Sequence, residues 1–155
     1  MIENQKLSKN FTLAELVKSQ TAARRGIDNW PTDQLVVDNL RAVVENVVQP
    51  ARDHYGVPIV PNSGYRSLEL NRAIGSRDTS QHVRGQAVDF EIPGVSNYDL
   101  ANWIRNNCEF DQLILEFYTP GQPTSGWVHC SYNTQGNRGQ VLTINRDGVF
   151  HDLVA

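Results

Sequence analysis

Long apolar runs are missing from this sequence. A membrane-spanning helix needs roughly 18 or more consecutive apolar residues, and no stretch approaches that, so membrane insertion is not expected. The opening Met1-Ile-Glu-Asn-Gln-Lys has no apolar core of the kind a secretory signal carries. The expectation is a protein made in a cytoplasm, with any action outside it depending on release by another agent. Cysteine is scarce. The two present, Cys108 and Cys130, are too few for a disulfide framework and read as reduced core thiols. Basic runs are also absent: 14 Lys and Arg stand against 17 Asp and Glu, for a net charge of -3. Without a positive stripe, nucleic-acid binding has no electrostatic support; Arg24-Arg25 reads as a solvated helix end. There is no internal repeat and no Gly- or Ser-rich linker. One domain over residues 1–155, long enough to bury a core and working as a monomer, is expected.

What is present is a set of helical periods followed by short strands. Ser8 to Ser19 reads as a short helix, with Thr12-Leu-Ala-Glu15 as its capping box. After a break at Asn29-Trp-Pro-Thr32, Leu35, Val36, Leu40, Val43, Val44, Val47 and Val48 recur at helical spacing. That predicts a helix over 32–55, ended or kinked by Pro50 and stopped by Gly56. Val57 to Asn62 is short, β-branched and rich in proline, and suits an edge strand. Ser67 to Ile74 and Asn97 to Asn107 read as helices, the latter with Leu100, Trp103 and Ile104 on one side. Gln86 to Ile92 alternates as a strand. Asp111 to Tyr118 and Trp127 to Tyr132 form an expected antiparallel pair around a turn-rich loop, and Gln140 to Asn145 is a last, edge strand. Helices first and strands later predict an α+β fold with a small antiparallel sheet.

The chemistry concentrates in three residues. His82 and Asp89 lie in Ser80-Gln-His-Val-Arg-Gly-Gln-Ala-Val-Asp89, and His129 in Trp127-Val-His-Cys-Ser. Two imidazoles and a carboxylate suit one Zn²⁺ and leave a coordination position for solvent. Gly85 permits a sharp path by which His82 folds back beside the strand carrying Asp89. In that strand Val88, Phe90 and Ile92 take the core face, and Ala87, Asp89 and Glu91 the other. His129 shares a face with Trp127 and Ser131, so its neighbour Cys130 points away and is not a ligand. Taken alone, H-x6-D is more commonly a surface pair whose members never meet. Glu116 is a carboxylate inside the very apolar Leu113-Ile-Leu-Glu-Phe-Tyr118. It joins His129 only if the register sets an even-numbered residue of the first strand opposite an odd-numbered one of the second. Arg66, after a Gly turn in Asn62-Ser-Gly-Tyr-Arg-Ser67, can grip a carboxylate or support a developing oxyanion. Trp127 and Tyr65 are candidate cleft walls; His54 and His151 read as surface residues.

Ser63-Gly-Tyr-Arg-Ser67, Asn71, the S-x-H-x-x-G-x-A-x-D string at 80–89, Gln112-Leu-Ile-Leu-Glu116 and Trp127-Val-His129 together resemble the M15 family of zinc D-Ala-D-Ala peptidases. The nearest branch is the compact one common in bacteriophage genomes, and the likeness spans about 11–144. The resemblance implies a small α+β domain with an antiparallel sheet flooring the cleft, an architecture shared with hedgehog signalling domains. It implies His82, Asp89 and His129 as ligands of one Zn²⁺, and Arg66 over the substrate or its polarised carbonyl. Ser80 would support the site or contact substrate. The implied substrates are D-amino-acid peptides of bacterial peptidoglycan. Several branches place the general base as an acid three residues before the last histidine; here that residue is Gly126. Glu116 is the replacement expected, with Glu91 as second choice.

The resulting expectation is a zinc peptidase, acting as carboxypeptidase or endopeptidase on the wall, either as a phage lysis enzyme awaiting release or as a virion-borne one. Two other readings use the same residues. One is a zinc-containing binding module without catalysis, which the missing acid at 126 keeps open. The other is a phage particle component that uses the fold as a spacer and holds no metal.

Overall fold

A computed structural model of the chain describes residues 1–154. The N-terminus forms a small hairpin, β1 (Lys6–Ser8) against β2 (Phe11–Thr12), followed by α1 (Leu13–Val17) and α2 (Gln20–Arg25). The capping box is present. Thr12 Oγ1 accepts the Glu15 N–H at 3.4 Å, and Glu15 Oε1 accepts the Thr12 N–H at 3.2 Å. The helix expected from Ser8 starts only at Leu13, because Ser8 and Asn10 turn to a buried side chain of the long helix instead. Gln49 Oε1 accepts from Ser8 Oγ at 2.5 Å and from the Asn10 N–H at 3.0 Å. α2 ends at Arg24-Arg25, the pair read as a helix end; it is capped by Ser19 and closed by a left-handed Gly26.

The long helical period does run as one continuous structure: α3 (Gln34–Val43), a π-helical turn (Val44–Val48) and α4 (Gln49–Tyr55). Pro50 does not end it. A proline ring crowds the carbonyl four residues back. The wider π turn, in which the Gln49 N–H reaches Val44 O, lies immediately before Pro50 and relieves that crowding. Val37, Leu40, Val43, Val44, Val47, Val48 and Ala51 are fully buried along this helix, whereas Leu35 lies on the outer face and is 60% exposed.

After α5 (Leu68–Ala73) and a 3₁₀ turn (Gln81–Arg84) come β3 (Ala87–Phe90), α6 (Asn97–Asn107), β4 (Gln112–Glu116), β5 (Trp127–Ser131), β6 (Gln140–Asn145) and β7 (Gly148–His151). The fold is α+β. Its main sheet has the order β3-β5-β4-β6-β7. Three of its four ladders are antiparallel, as expected; β6 instead runs parallel to β4, because the chain leaving β5 passes the start of β4 and pairs on its far side. β6 is also not an edge: the unanticipated β7 covers it. Val57 to Asn62 forms no strand. Its prolines remove ladder donors, and only Ser63 bridges β3, with the Asp89 N–H reaching Ser63 O at 2.7 Å.

The sheet's alternation sorts its residues as the sequence predicts. Val88, Phe90, Leu113, Leu115, Val128 and Cys130 are fully buried against the long helix and α6. Phe117 departs from that pattern. β4 ends at Glu116, and Phe117 takes a left-handed backbone (φ 54°) that leaves its ring 46% exposed. Both cysteines are free. No helix among the described residues is long and apolar enough to cross a membrane.

Candidate metal centre and its cleft

The opposite face of β3–β5–β4 carries the polar residues. In the ladder, Asp89 pairs with His129, Ile114 with His129, and Glu116 with Trp127. The register is therefore the even-against-odd one that puts Glu116 and His129 on the same face. His82 arrives from the 3₁₀ turn. Ser80 caps that turn, its Oγ accepting the His82 N–H at 3.3 Å. Gly85 closes it in a left-handed conformation (φ 73°), so tight that a Cβ there would sit 2.7 Å from Val36 O. Only glycine fits that approach.

His82 Nδ1 lies 2.7 Å from Gly64 O. An N–H donated there fixes the tautomer and leaves Nε2 free as a donor to a metal, the usual arrangement for a metal-binding imidazole. Asp89 Oδ1 lies 3.3 Å from His82 Nε2 and 2.9 Å from His129 Nδ1. One donor atom from each of the three residues lies within 4.8 Å of the others. Donors bound at about 2.0–2.1 Å around one tetrahedral ion stand roughly 3.3 Å apart, so the set fits a single small divalent cation. All three are buried, at 3%, 8% and 8% exposed for His82, Asp89 and His129. Burial works against ionisation of Asp89, but the two imidazoles beside it prevail and hold its carboxyl well below the usual range.

Arg66 stands next to the cluster. Its backbone N–H reaches His82 O, and its guanidinium donates to Ser63 Oγ at 3.2 Å and Asn71 Oδ1 at 3.1 Å. It lies 3.8 Å from Asp89 Oδ2, an ion-pair rather than a hydrogen-bond distance. Glu116 is half-buried at the end of β4, where Trp127 Nε1 donates to its Oε2 at 2.7 Å. Burial raises its pKa and the Asp89 charge adds to that, while His129 and the indole donor work in the opposite direction. Arg66, Ser80, Glu116, Trp127 and the three cluster residues all line a polar cleft of about 980 Å³, in which Ile114 and Trp127 are the only large apolar side chains.

The other candidates fall elsewhere. Glu91 is engaged by Asn62 and Asn97 and does not line the cleft. Tyr65 lines a neighbouring groove with Arg66. His54 stacks on Trp103, and His151 is exposed at the edge strand. Gly126 (φ 67°) is pressed against the end of β4, where a Cβ would lie 2.1 Å from Glu116 O. The backbone carrying Glu116 thus occupies the space an acid at 126 would need.

Several buried polar residues that hold the site were given no role from the sequence. Asn71, fully buried, joins Arg66 to the carbonyl of Arg77. Asn97 binds the Ser125 and Gly126 carbonyls at the entry to β5. Asp111 binds Gln81 beside His82 and also Arg138. Polar residues in helical or strand-forming stretches give no sequence signal of burial, so only the presence of Asn71 among the quoted motifs pointed to any of them.

Two imidazoles and a carboxylate at the floor of a polar cleft, flanked by a second carboxylate and a guanidinium, form a candidate metal centre of the kind that metal-dependent hydrolases use. Residues 9–131 match the family model described as Peptidase M15, and the chain belongs to that family of metallopeptidases. Among curated proteins, none matches the chain.

Proposed function

We propose that the chain is a zinc peptidase that hydrolyses D-amino-acid-containing peptide bonds of bacterial peptidoglycan in a phage cycle, as a lysis enzyme or as a virion-borne one. The observation that carries the catalytic reading is the convergence of His82, Asp89 and His129 beside Glu116 in one cleft. The substrate and the setting rest on the resemblance of the 63–67, 80–89 and 127–129 motifs. His82 Nε2, Asp89 Oδ1 and His129 Nδ1 would hold the ion. A bound Zn²⁺ supplies Lewis acidity that polarises a carbonyl and promotes ionisation of water near neutral pH.

The protein's own residues do the rest. Glu116 accepts the proton of the attacking water and delivers it to the leaving amine. The Trp127 indole keeps that carboxylate aimed into the cleft. Arg66, fixed by Ser63 and Asn71, directs positive charge at the oxygen that becomes negative in the tetrahedral state. Ser80 keeps the turn that presents His82.

Zymography on purified cell walls, with and without chelator, tests this together with the zinc content of the protein. Wild type should clear the wall and lose that ability on chelation, and His82→Ala should lose zinc and clearing together. A His82→Ala protein with full activity would overturn the assignment. A protein that holds zinc but cleaves no wall peptide would instead support a binding module. Mass spectrometry of the digested muropeptides identifies the bond cut.

A further inference from the structure

The cleft's charges are not balanced. The chain as a whole is acidic, yet four arginines line the cleft: Arg66, Arg77, Arg84 and Arg138. The three acids that line it are each engaged. Asp89 belongs to the metal cluster, Glu116 receives the Trp127 indole, and Asp111 is paired with Arg138 at 2.8 Å. Asp78, the acid next to Arg77 in sequence, is taken by Arg72 through two hydrogen bonds of 3.0 and 2.8 Å. Among the described residues, the side chains of Arg77 and Arg84 have no ion-pair partner. Both are exposed, and both belong to the wall that carries His82.

Their backbones, by contrast, are fixed from beneath. The Arg77 carbonyl accepts from Nδ2 of the fully buried Asn71 at 2.8 Å, and the same Asn71 holds Arg66. The Arg84 carbonyl accepts from Nδ2 of the buried Asn39 at 3.0 Å. The neighbouring Gly85 is wedged against α3. Two uncompensated guanidiniums thus rise from rigid stems on one side of a polar cleft. Guanidinium groups recognise carboxylates through paired, charge-assisted hydrogen bonds.

We propose that Arg77 and Arg84 form a carboxylate-binding subsite, which receives an acidic group of the substrate away from the bond being cut and selects for anionic peptides. This rests on the peptidase reading of the cleft and names the substrate class for it. Arg77 and Arg84 act in specificity; they take no part in moving protons.

The test uses the zinc-loaded full chain and two probes: a peptidoglycan stem peptide with free carboxylates, and the same peptide with those carboxylates amidated. Wild type should bind the acidic peptide about tenfold more tightly, in line with one charge-assisted contact, and this preference should fade at high salt. In Arg77→Gln/Arg84→Gln the preference should collapse, with the loss appearing in KM for the acidic peptide. Arg146→Gln, in the exposed β6–β7 turn outside the cleft, should keep it. A double variant that retains the preference, or a wild type that binds both peptides equally by calorimetry, would overturn the subsite. Because binding is read separately from turnover, a protein that prefers the acidic peptide but cleaves neither would refute the peptidase reading and leave the subsite standing.

Discussion

Glu116 is the residue whose environment makes the sharpest prediction. A base must be ionised to accept a proton, and burial followed by the Asp89 charge raises its pKa above the ordinary glutamate value. That upward shift belongs to the metal-free protein, and a bound dication would offset it; activity should be lost as pH falls through the acid limb of kcat/KM, where Glu116 takes up its proton. The Trp127 N–H stabilises the ionised form, so Trp127→Phe, which keeps a ring but removes the donor, should move that limb to higher pH. A limb that stays in place would separate the indole from the base. Glu116→Gln should retain zinc and lose turnover by a factor of about 10²–10⁴; unimpaired turnover would remove Glu116 from the role. The oddness of Glu116 was legible in the sequence, as a charge inside an apolar strand. Its hydrogen bond to Trp127 was not, because that depends on a register which the long 119–126 loop leaves free. Asp89 and His129 were legible because alternation set each on the polar face of its strand, and His82 because the Gly85 turn can fold it back beside them.

At the level of elements, the site depends on how firmly the 3₁₀ turn of His82 is tied to the sheet. Asp111 makes that tie. Nearly fully buried, it accepts from Gln81 Nε2 at 2.8 Å, from the Arg138 backbone N–H at 2.9 Å, and from the Arg138 guanidinium at 3.0 and 2.8 Å. The Arg138 side-chain bonds outweigh desolvation and hold the Asp111 carboxyl below its usual range, and Gln81 assists. A carboxyl whose folded pKa is lowered gives stability that is present above its unfolded value of roughly 3.9 and lost as pH falls through the folded value. Asp111→Ala should thus cost about 2–3 kcal/mol at pH 7, with the gap to wild type narrowing toward pH 3, as denaturant melts at both pH values would show. A gap independent of pH would mean that packing rather than the ionised carboxylate supplies the stability. This clamp was invisible in the sequence, where Asp111 reads only as the start of a strand. The strands β3, β4 and β5 were legible because each has one core face and one polar face. The N-terminal hairpin was not: the Thr12 capping box fixes the helix start at Leu13, but what turns the preceding residues back is their bonding to the distant Gln49. Pro50 does not end the helix for a related reason: whether a proline breaks one depends on the preceding turn, and here a π turn accommodates it.

For the whole molecule, the cluster joins parts of the chain that folding alone brings together. His82 lies in the 3₁₀ turn, Asp89 on β3 and His129 on β5, and His82 is tied in turn to Gly64. That α+β packing was legible from the order of helices and strands, but the parallel β4–β6 pair was not, because nothing local distinguishes a crossover from a hairpin return. An ion held by all three ligands binds the folded chain and not the unfolded one, so it should stabilise the whole domain by mass action. At 100 times its Kd the gain is about 2.7 kcal/mol, and at roughly 2–4 °C per kcal/mol for a chain of this size Tm should rise by about 5–10 °C over the chelated protein. Binding requires neutral imidazoles, so acid should shrink the shift. His129→Ala and Asp89→Ala should fold yet show no zinc-dependent shift, whereas Glu116→Gln should show the full one, which separates holding the ion from using it. Differential scanning calorimetry of these variants with zinc and with chelator measures the difference directly. Melting curves of the wild type that coincide in the two conditions would mean that the three side chains, close as they are, do not act as one metal site.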